Sequence, residues 1–63
     1  MKLFVWEDVL TDWSEGIICV YAENELQARQ LLLEKDNLAA KRVENITPKV
    51  ITKPEAFVVW GGG

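Results

Sequence analysis

Residues 17–35 read IICVYAENELQARQLLLEK and contain a transition from strand to helix. The first six are mostly β-branched or apolar, as in a strand. Asn24 is a favourable N-cap, and Gln27 stands three positions later, so the two residues form a capping box. This stretch predicts a strand over residues 17–22 followed by a helix over residues 25–35. The predicted inner face of the helix consists of Leu26, Ala28, Leu31 and Leu32.

On the N-terminal side, residues 2–6 are aromatic and β-branched and predict another strand. Residues 7–16 carry four of the ten acidic side chains and predict a loop or wide hairpin. A connection of this length favours antiparallel pairing of the two strands, because a parallel pair needs a longer crossover. Side chains alternate along a strand, so both faces of the first strand are expected to be covered. Leu3 and Val5 would lie on one face, and Phe4 and Trp6 on the other.

On the C-terminal side, Asp36 or Asn37 interrupts the helix and caps a second one over residues 38–44. Its predicted inner face is Leu38, Ala39 and Val43. Pro48 and Pro54 bracket residues 49–52, which predict a short edge strand or an extended crossover. Residues 55–60 predict the final strand.

The predicted fold class is α+β: a β-hairpin, a helix, a short second helix and a C-terminal strand, with a helix packed on one face of a small antiparallel or mixed sheet. We predict that residues 1–60 form a single domain and that residues 61–63 form a glycine tail. A chain of 63 residues buries only about 60% of the surface that it exposes when unfolded. With one cysteine and no histidine, an internal disulfide is excluded and a zinc site is disfavoured. We therefore predict a homodimer that completes its core by association.

The inventory of side chains argues against an enzyme. No histidine is available for general acid–base catalysis, and no glycine-rich phosphate loop precedes a helix. Cys19 stands among apolar neighbours in a strand and is interpreted as a buried, inert thiol. The acid-rich loop has the spacing of no known calcium loop. We predict no catalytic residue, no metal site and no cofactor.

Charge and hydropathy restrict the partners. The net charge is −3, and residues 1–25 carry six acidic side chains against one basic, whereas residues 26–63 carry six basic against four acidic. An acidic N-terminal part disfavours nucleic-acid binding. No apolar run is long enough for a signal peptide or a membrane span. A lone thiol is typical of a cytoplasmic protein.

Trp13 stands on the acidic loop, where an indole flanked by polar residues is typical of an anchor that contacts a partner. A strand that ends in three glycines offers a second, slim contact surface. The predicted partner-binding residues are Trp13, Asp8, Asp12 and Glu15 in the loop, and Trp60, Gly61, Gly62 and Gly63 at the end of the chain.

Three segments resemble small proteins encoded by bacteriophages and prophages: residues 2–12 (KLFVWEDVLTD), residues 22–24 (AEN) and residues 57–63 (FVVWGGG). The resemblance implies a phage accessory protein, a class that includes many antagonists of bacterial immunity. Such proteins act in the host cytoplasm by stoichiometric binding to a host protein or by sequestering a signalling molecule. The expected function is therefore non-catalytic inhibition of a host protein.

Two alternatives remain open. Gly62 and Gly63 resemble the end of ubiquitin-like and sulfur-carrier proteins, which are activated at the C-terminal carboxylate. Bulky Trp60 and the additional Gly61 depart from the slender tail of that family. The other alternative is an oligomer that sequesters a nucleotide, which needs bases such as Arg29, Lys41 and Arg42 to converge.

Overall fold

The computed structural model describes residues 1–9 and 16–58 of the chain. Within these residues, three strands form an antiparallel sheet in the order β2-β1-β3, and two helices connect β2 to β3. The predicted α+β class is confirmed. The elements are β1 (Lys2–Val9), β2 (Gly16–Ala22), α1 (Glu25–Lys35), α2 (Asn37–Arg42) and β3 (Lys49–Ile51).

The hairpin of β1 and β2 is longer than the sequence indicated. Trp6 pairs with Ile18, and the pairing continues to Val9 opposite Gly16, with a register shift between Glu7 and Val9. The predicted antiparallel pairing is confirmed, but residues 7–9 and Gly16, which we expected in the loop or wide hairpin, belong to β1 and β2. A β-bulge accommodates one extra residue in a strand, so the acidic residues Glu7 and Asp8 still belong to β1.

One face of the sheet carries the core. Alternate residues of β1 and β2 point toward the helices, and each helix contributes the side chains of one narrow face. The opposite face of β1 is covered as well, since Val5 is buried. The prediction that both faces of β1 are covered is confirmed. The core cluster consists of Phe4, Trp6, Ile18, Ala22, Ala28, Leu32, Ala39 and Val43.

The capping signals place α1 at the predicted residues. The Gln27 amide donates to the Asn24 side chain at 2.8 Å, and the Glu23 amide donates to the Gln27 side chain at 2.7 Å. Burial differs from the prediction, because Leu26 and Leu31 are exposed. Ala28 and Leu32 lie one turn apart on the single face that contacts the sheet. Leu26 and Leu31 project to either side of that face.

Asp36 separates the two helices and contributes to both. Its backbone amide donates to the Leu32 carbonyl at 2.8 Å, and its side chain accepts the Ala39 amide at 3.0 Å. Because Asp36 caps α2, that helix starts at Asn37, one residue earlier than predicted. The predicted inner residues Ala39 and Val43 are buried, but Leu38 is exposed, so its assignment to the inner face is wrong.

We expect Asp36→Ala to lower the free energy of unfolding by about 1 kcal/mol, because the Ala39 amide loses its acceptor at the start of α2. Urea denaturation measures the effect. Asp36→Asn is the matched control and should stay within a few tenths of a kcal/mol, since an asparagine side chain accepts the same bond. An equal loss in both variants would contradict a capping role.

The end of the described chain differs from the predicted final strand. β3 is an edge strand paired with β1, as the flanking prolines indicated. Residues 55–58 are not part of a strand, so that prediction is wrong over the described part. Lys49 anchors this segment through a 3.0 Å ion pair with Glu55 and a cation–π contact with Phe57. Residues 55–58 are thus held by side-chain contacts with Lys49 and not by backbone pairing. Their β propensity was not enough to predict a strand, because a strand also needs a partner strand to pair with.

Candidate functional site

Most of the residues predicted to bind a partner lie outside the described part of the chain. Only the backbone of Asp8 is described: it belongs to β1 and lies between Glu7 and Val9, where the register shifts. Bulges are common beside binding sites because they change the direction of a strand. The contact surface predicted for this loop and for the glycine tail stays a prediction. The residues outside the described ranges are Trp13, Asp12, Glu15, Trp60, Gly61, Gly62 and Gly63.

A polar cluster joins α1, β1 and the turn after α2. The Trp6 indole Nε1 donates to the Ile46 carbonyl at 2.9 Å, and Arg29 Nη2 donates to the same oxygen at 2.7 Å. Arg29 Nη1 donates to the Val43 carbonyl at 2.8 Å, and Nε donates to a Glu25 carboxylate oxygen at 2.9 Å. The guanidinium carbon lies 5.3 Å from the centroid of the Trp6 ring. Arg29 therefore satisfies the carbonyl of Val43, which caps the C-terminal end of α2, where a cation is favourable, and that of Ile46 in the segment that follows.

An open cleft of about 340 Å³ lies between the two helices. Arg29 and Lys41 both line it, which bears on the hypothesis of a nucleotide-binding oligomer. The guanidinium of Arg29 already donates to two carbonyls and one carboxylate, and Glu44 also lines the cleft. This combination of charges does not favour a phosphate. The cleft is lined by Arg29, Leu32, Leu33, Asn37, Ala40, Lys41, Val43 and Glu44.

Cys19 lies at the centre of β2 and is exposed, so its interpretation as a buried thiol is wrong. Alternation explains the difference, because Ile18 points to the core and Cys19 must point to the other face. Over residues 1–9 and 16–58, no cluster of three or more histidine, cysteine or acidic side chains is arranged to hold a metal ion.

Exposed apolar side chains are the main surface feature of the helices. Leu26 is 69% exposed and Leu33 is 53% exposed. They stand seven residues apart in α1 and therefore share one face, which we call the leucine face. Leu33 also lines the interhelical cleft, so the two features are continuous. Leu31 on another side of α1, and Leu38 at the start of α2, are exposed as well.

The leucine face was missed at the level of sequence, although a signal was present. Residues 31–33 are three consecutive leucines, and successive positions in a helix differ by about 100° in direction. Such a run cannot turn all three side chains toward one sheet. In the structure only Leu32 is buried. The ion pair of Arg29 with Glu25 is a local i,i+4 contact, but the bonds of Arg29 to Val43 and Ile46 span 14 and 17 residues and had no local signal.

Comparisons with known proteins do not identify a family for this chain. No family model matches the sequence, and neither a curated protein nor a solved structure matches it. Among the described residues, neither helix has the length and apolar character needed to cross a bilayer. The proposed function therefore depends on the surface chemistry of the chain and on the resemblance stated above.

Proposed function

We propose that this protein acts without catalysis, by binding another protein stoichiometrically through an apolar surface. The observation that carries the proposal is the exposure of the leucine face, Leu26 and Leu33, beside the cleft. Scattered exposed leucines are ordinary on a protein surface. A pair aligned on one helix and continuous with an apolar cleft is typical of an interaction site.

The geometry supports a particular mode of binding. Leu26 and Leu33 stand at positions i and i+7 of α1, and the exposed, polar Gln30 lies between them at i+4. Helices that dock into apolar grooves of a partner use anchors at this spacing. Three charged side chains close to Leu33 in the sequence are exposed, one acidic and two basic: Glu34, Lys35 and Lys41. A polar rim around apolar anchors excludes water and sets the orientation of the complex.

The resemblance to phage-encoded proteins extends the proposal to the partner. We infer that the partner is a host protein of bacterial immunity in the host cytoplasm and that binding inhibits it. The predicted contact surface around Trp13, with Asp8, Asp12 and Glu15, belongs to this proposal as a second anchor. The homodimer belongs to it as well, because two copies present each anchor twice and strengthen binding through avidity.

The decisive experiment combines capture with matched variants. The protein is expressed in bacteria, and its partner is captured, identified by mass spectrometry and purified. Titration calorimetry then measures the affinity of the complex and its stoichiometry. We expect the double variant Leu26→Gln, Leu33→Gln to weaken binding at least tenfold, because placing polar amides where two central apolar anchors are buried costs more than about 1.4 kcal/mol.

Two control variants locate the site. Leu31→Gln changes an exposed leucine on another side of α1 and should bind as the wild type does. Trp13→Ala should weaken binding without unfolding the domain if the loop is the second anchor. Unchanged affinity in the double variant would refute the leucine face, and unchanged affinity in Trp13→Ala would refute the loop. Turnover of a substrate by the purified protein would contradict the whole proposal.

A further inference from the structure

The outer edge of β2 is open in the part of the chain that the structure describes. β2 is the terminal strand of the β2-β1-β3 sheet, and only β1 pairs with it there. An unpaired edge presents a row of backbone donors and acceptors to any compatible strand. Proteins usually protect such edges with lysine, proline, bulges or very short strands.

The two edge strands of this sheet differ in how well they are protected against pairing with another strand. β3 has three residues, follows Pro48 and carries Lys49, so its edge is protected against pairing. β2 has seven residues and contains neither a proline nor a charged side chain. Its sequence, GIICVYA, is mostly β-branched or apolar. The contrast indicates that β2 is suited to pairing with another strand.

We propose that two copies of the chain pair through antiparallel β2 strands about a two-fold axis at Cys19, forming one continuous six-stranded sheet. The inference rests on the proposed homodimer and specifies its interface. Cys19 is the middle residue of Gly16–Ala22, so a self-complementary register sets it opposite its own counterpart. Ile17 then faces Tyr21 of the partner subunit, and Ile18 faces Val20 of the partner subunit.

Exposure and charge support a second copy as the occupant of this edge. Ile17 is 40% exposed and Tyr21 is 62% exposed on the face away from the helices. The proposed register joins them as two aromatic–β-branched cross-strand pairs, which are favourable in sheets. Self-pairing of a strand sets like residues near each other, and an uncharged strand avoids the repulsion that this causes. Pairing also extends the small apolar interior of a chain of 63 residues.

Disulfide trapping tests the register. Directly opposed residues of an antiparallel pair have Cα atoms about 4.5 to 5.5 Å apart, within the range of a disulfide. We expect diamide to convert the wild-type protein to a disulfide-linked dimer through Cys19. Non-reducing electrophoresis gives the yield, and sedimentation equilibrium gives the oligomeric state without oxidant.

The matched control moves the thiol by two residues. In Ile17→Cys with Cys19→Ser, the two thiols lie about 14 Å apart along the strands, too far for a disulfide. That variant alone should not cross-link, but it should do so when mixed with Tyr21→Cys, Cys19→Ser. Cys19→Lys sets two ammonium groups face to face and should weaken dimerisation about fivefold or more, while circular dichroism shows the native fold.

The possible outcomes distinguish the proposed β2 interface from the proposed homodimer itself. A dimer that cross-links at Cys19, and not at position 17 alone, supports the inference. A dimer that fails to cross-link at Cys19, or that does so equally at position 17, overturns the β2 interface and leaves the proposed homodimer standing. A monomer at about 100 μM, well above the micromolar range of stable dimers, overturns both. Hydrogen exchange that protects the outer β2 amides in a monomer would assign the edge to another segment of the same chain.

Discussion

Replacing Trp6 by alanine is expected to lower the free energy of unfolding by about 3 to 5 kcal/mol, the largest effect of any single substitution considered for this chain. Trp6 is 1% exposed and belongs to the core cluster. Its removal leaves a cavity and deprives the Ile46 carbonyl of one donor. Domains of this size have only about 3 to 9 kcal/mol in total, so the variant should be largely unfolded in mild denaturant.

Urea denaturation followed by circular dichroism measures this loss. Trp6→Phe retains an aromatic ring without the indole N–H and should lose less, about 1 to 2 kcal/mol. Leu26→Ala serves as the surface control and should stay within about 0.5 kcal/mol, because Leu26 is exposed. If Trp6→Ala unfolded at the same urea concentration as Leu26→Ala, Trp6 would not be the centre of the core.

Replacing Arg29 by lysine is expected to cost about 1.5 to 3 kcal/mol, although the charge is conserved. The guanidinium reaches Val43, Ile46 and Glu25 at the same time, and it lies over the Trp6 ring. Lysine carries one compact ammonium group and cannot reproduce a planar fork of donors. Two carbonyls after α2 would then lose a charged donor. The side chain is 26% exposed, so water compensates in part.

Two variants separate the contributions of Arg29. Glu25→Gln removes the exposed ion pair with Arg29 and one negative charge from the first turn of α1, and it should cost about 1 kcal/mol or less. Arg42→Lys changes an exposed basic residue in the last turn of α2 and should be close to neutral. Equal losses from Arg29→Lys and Arg42→Lys would refute the specific role of the guanidinium.

The double variant Trp6→Phe, Arg29→Lys gives an additional test of the cluster. Both wild-type side chains donate to the Ile46 carbonyl, so their contributions are coupled. The loss in the double variant should differ from the sum of the single losses by at least about 0.5 kcal/mol. Strict additivity would indicate that the shared carbonyl contributes little to stability.

The sequence predictions were most accurate for elements whose interactions join residues close together in the chain. The bounds of α1 were predicted correctly because Asn24 and Gln27 cap the helix through bonds between near neighbours. The start of α2 was predicted within one residue for the same reason, since Asp36 ends α1 and caps α2. The edge position of β3 followed from Pro48 and Pro54. Bonds between near neighbours can be identified without knowledge of the fold.

Burial was predicted less well, because it depends on which elements pack together. Leu26, Leu31 and Leu38 fit an apolar helix pattern, yet the sheet has room for only one narrow face of each helix. Cys19 lies in an apolar strand, yet its face of β2 is exposed. The strand expected over residues 55–60 is absent over residues 55–58, where contacts with Lys49 take its place.

The candidate sites divide in the same way. Asp8, Trp13 and the glycine tail were selected from local composition, whereas the leucine face and the open β2 edge emerge only when the elements are assembled. Local chemistry along the chain fixes where its helices begin and end and which segments are extended, because caps and side-chain alternation act over a few residues. Three features were decided only by the tertiary structure: the buried face of each helix, the contact of Arg29 with Trp6, and the exposed edge of β2. The bonds around Arg29 and Trp6 join residues 14 to 40 positions apart, and the exposed edge depends on strand order. Only packing in three dimensions brings such distant residues together.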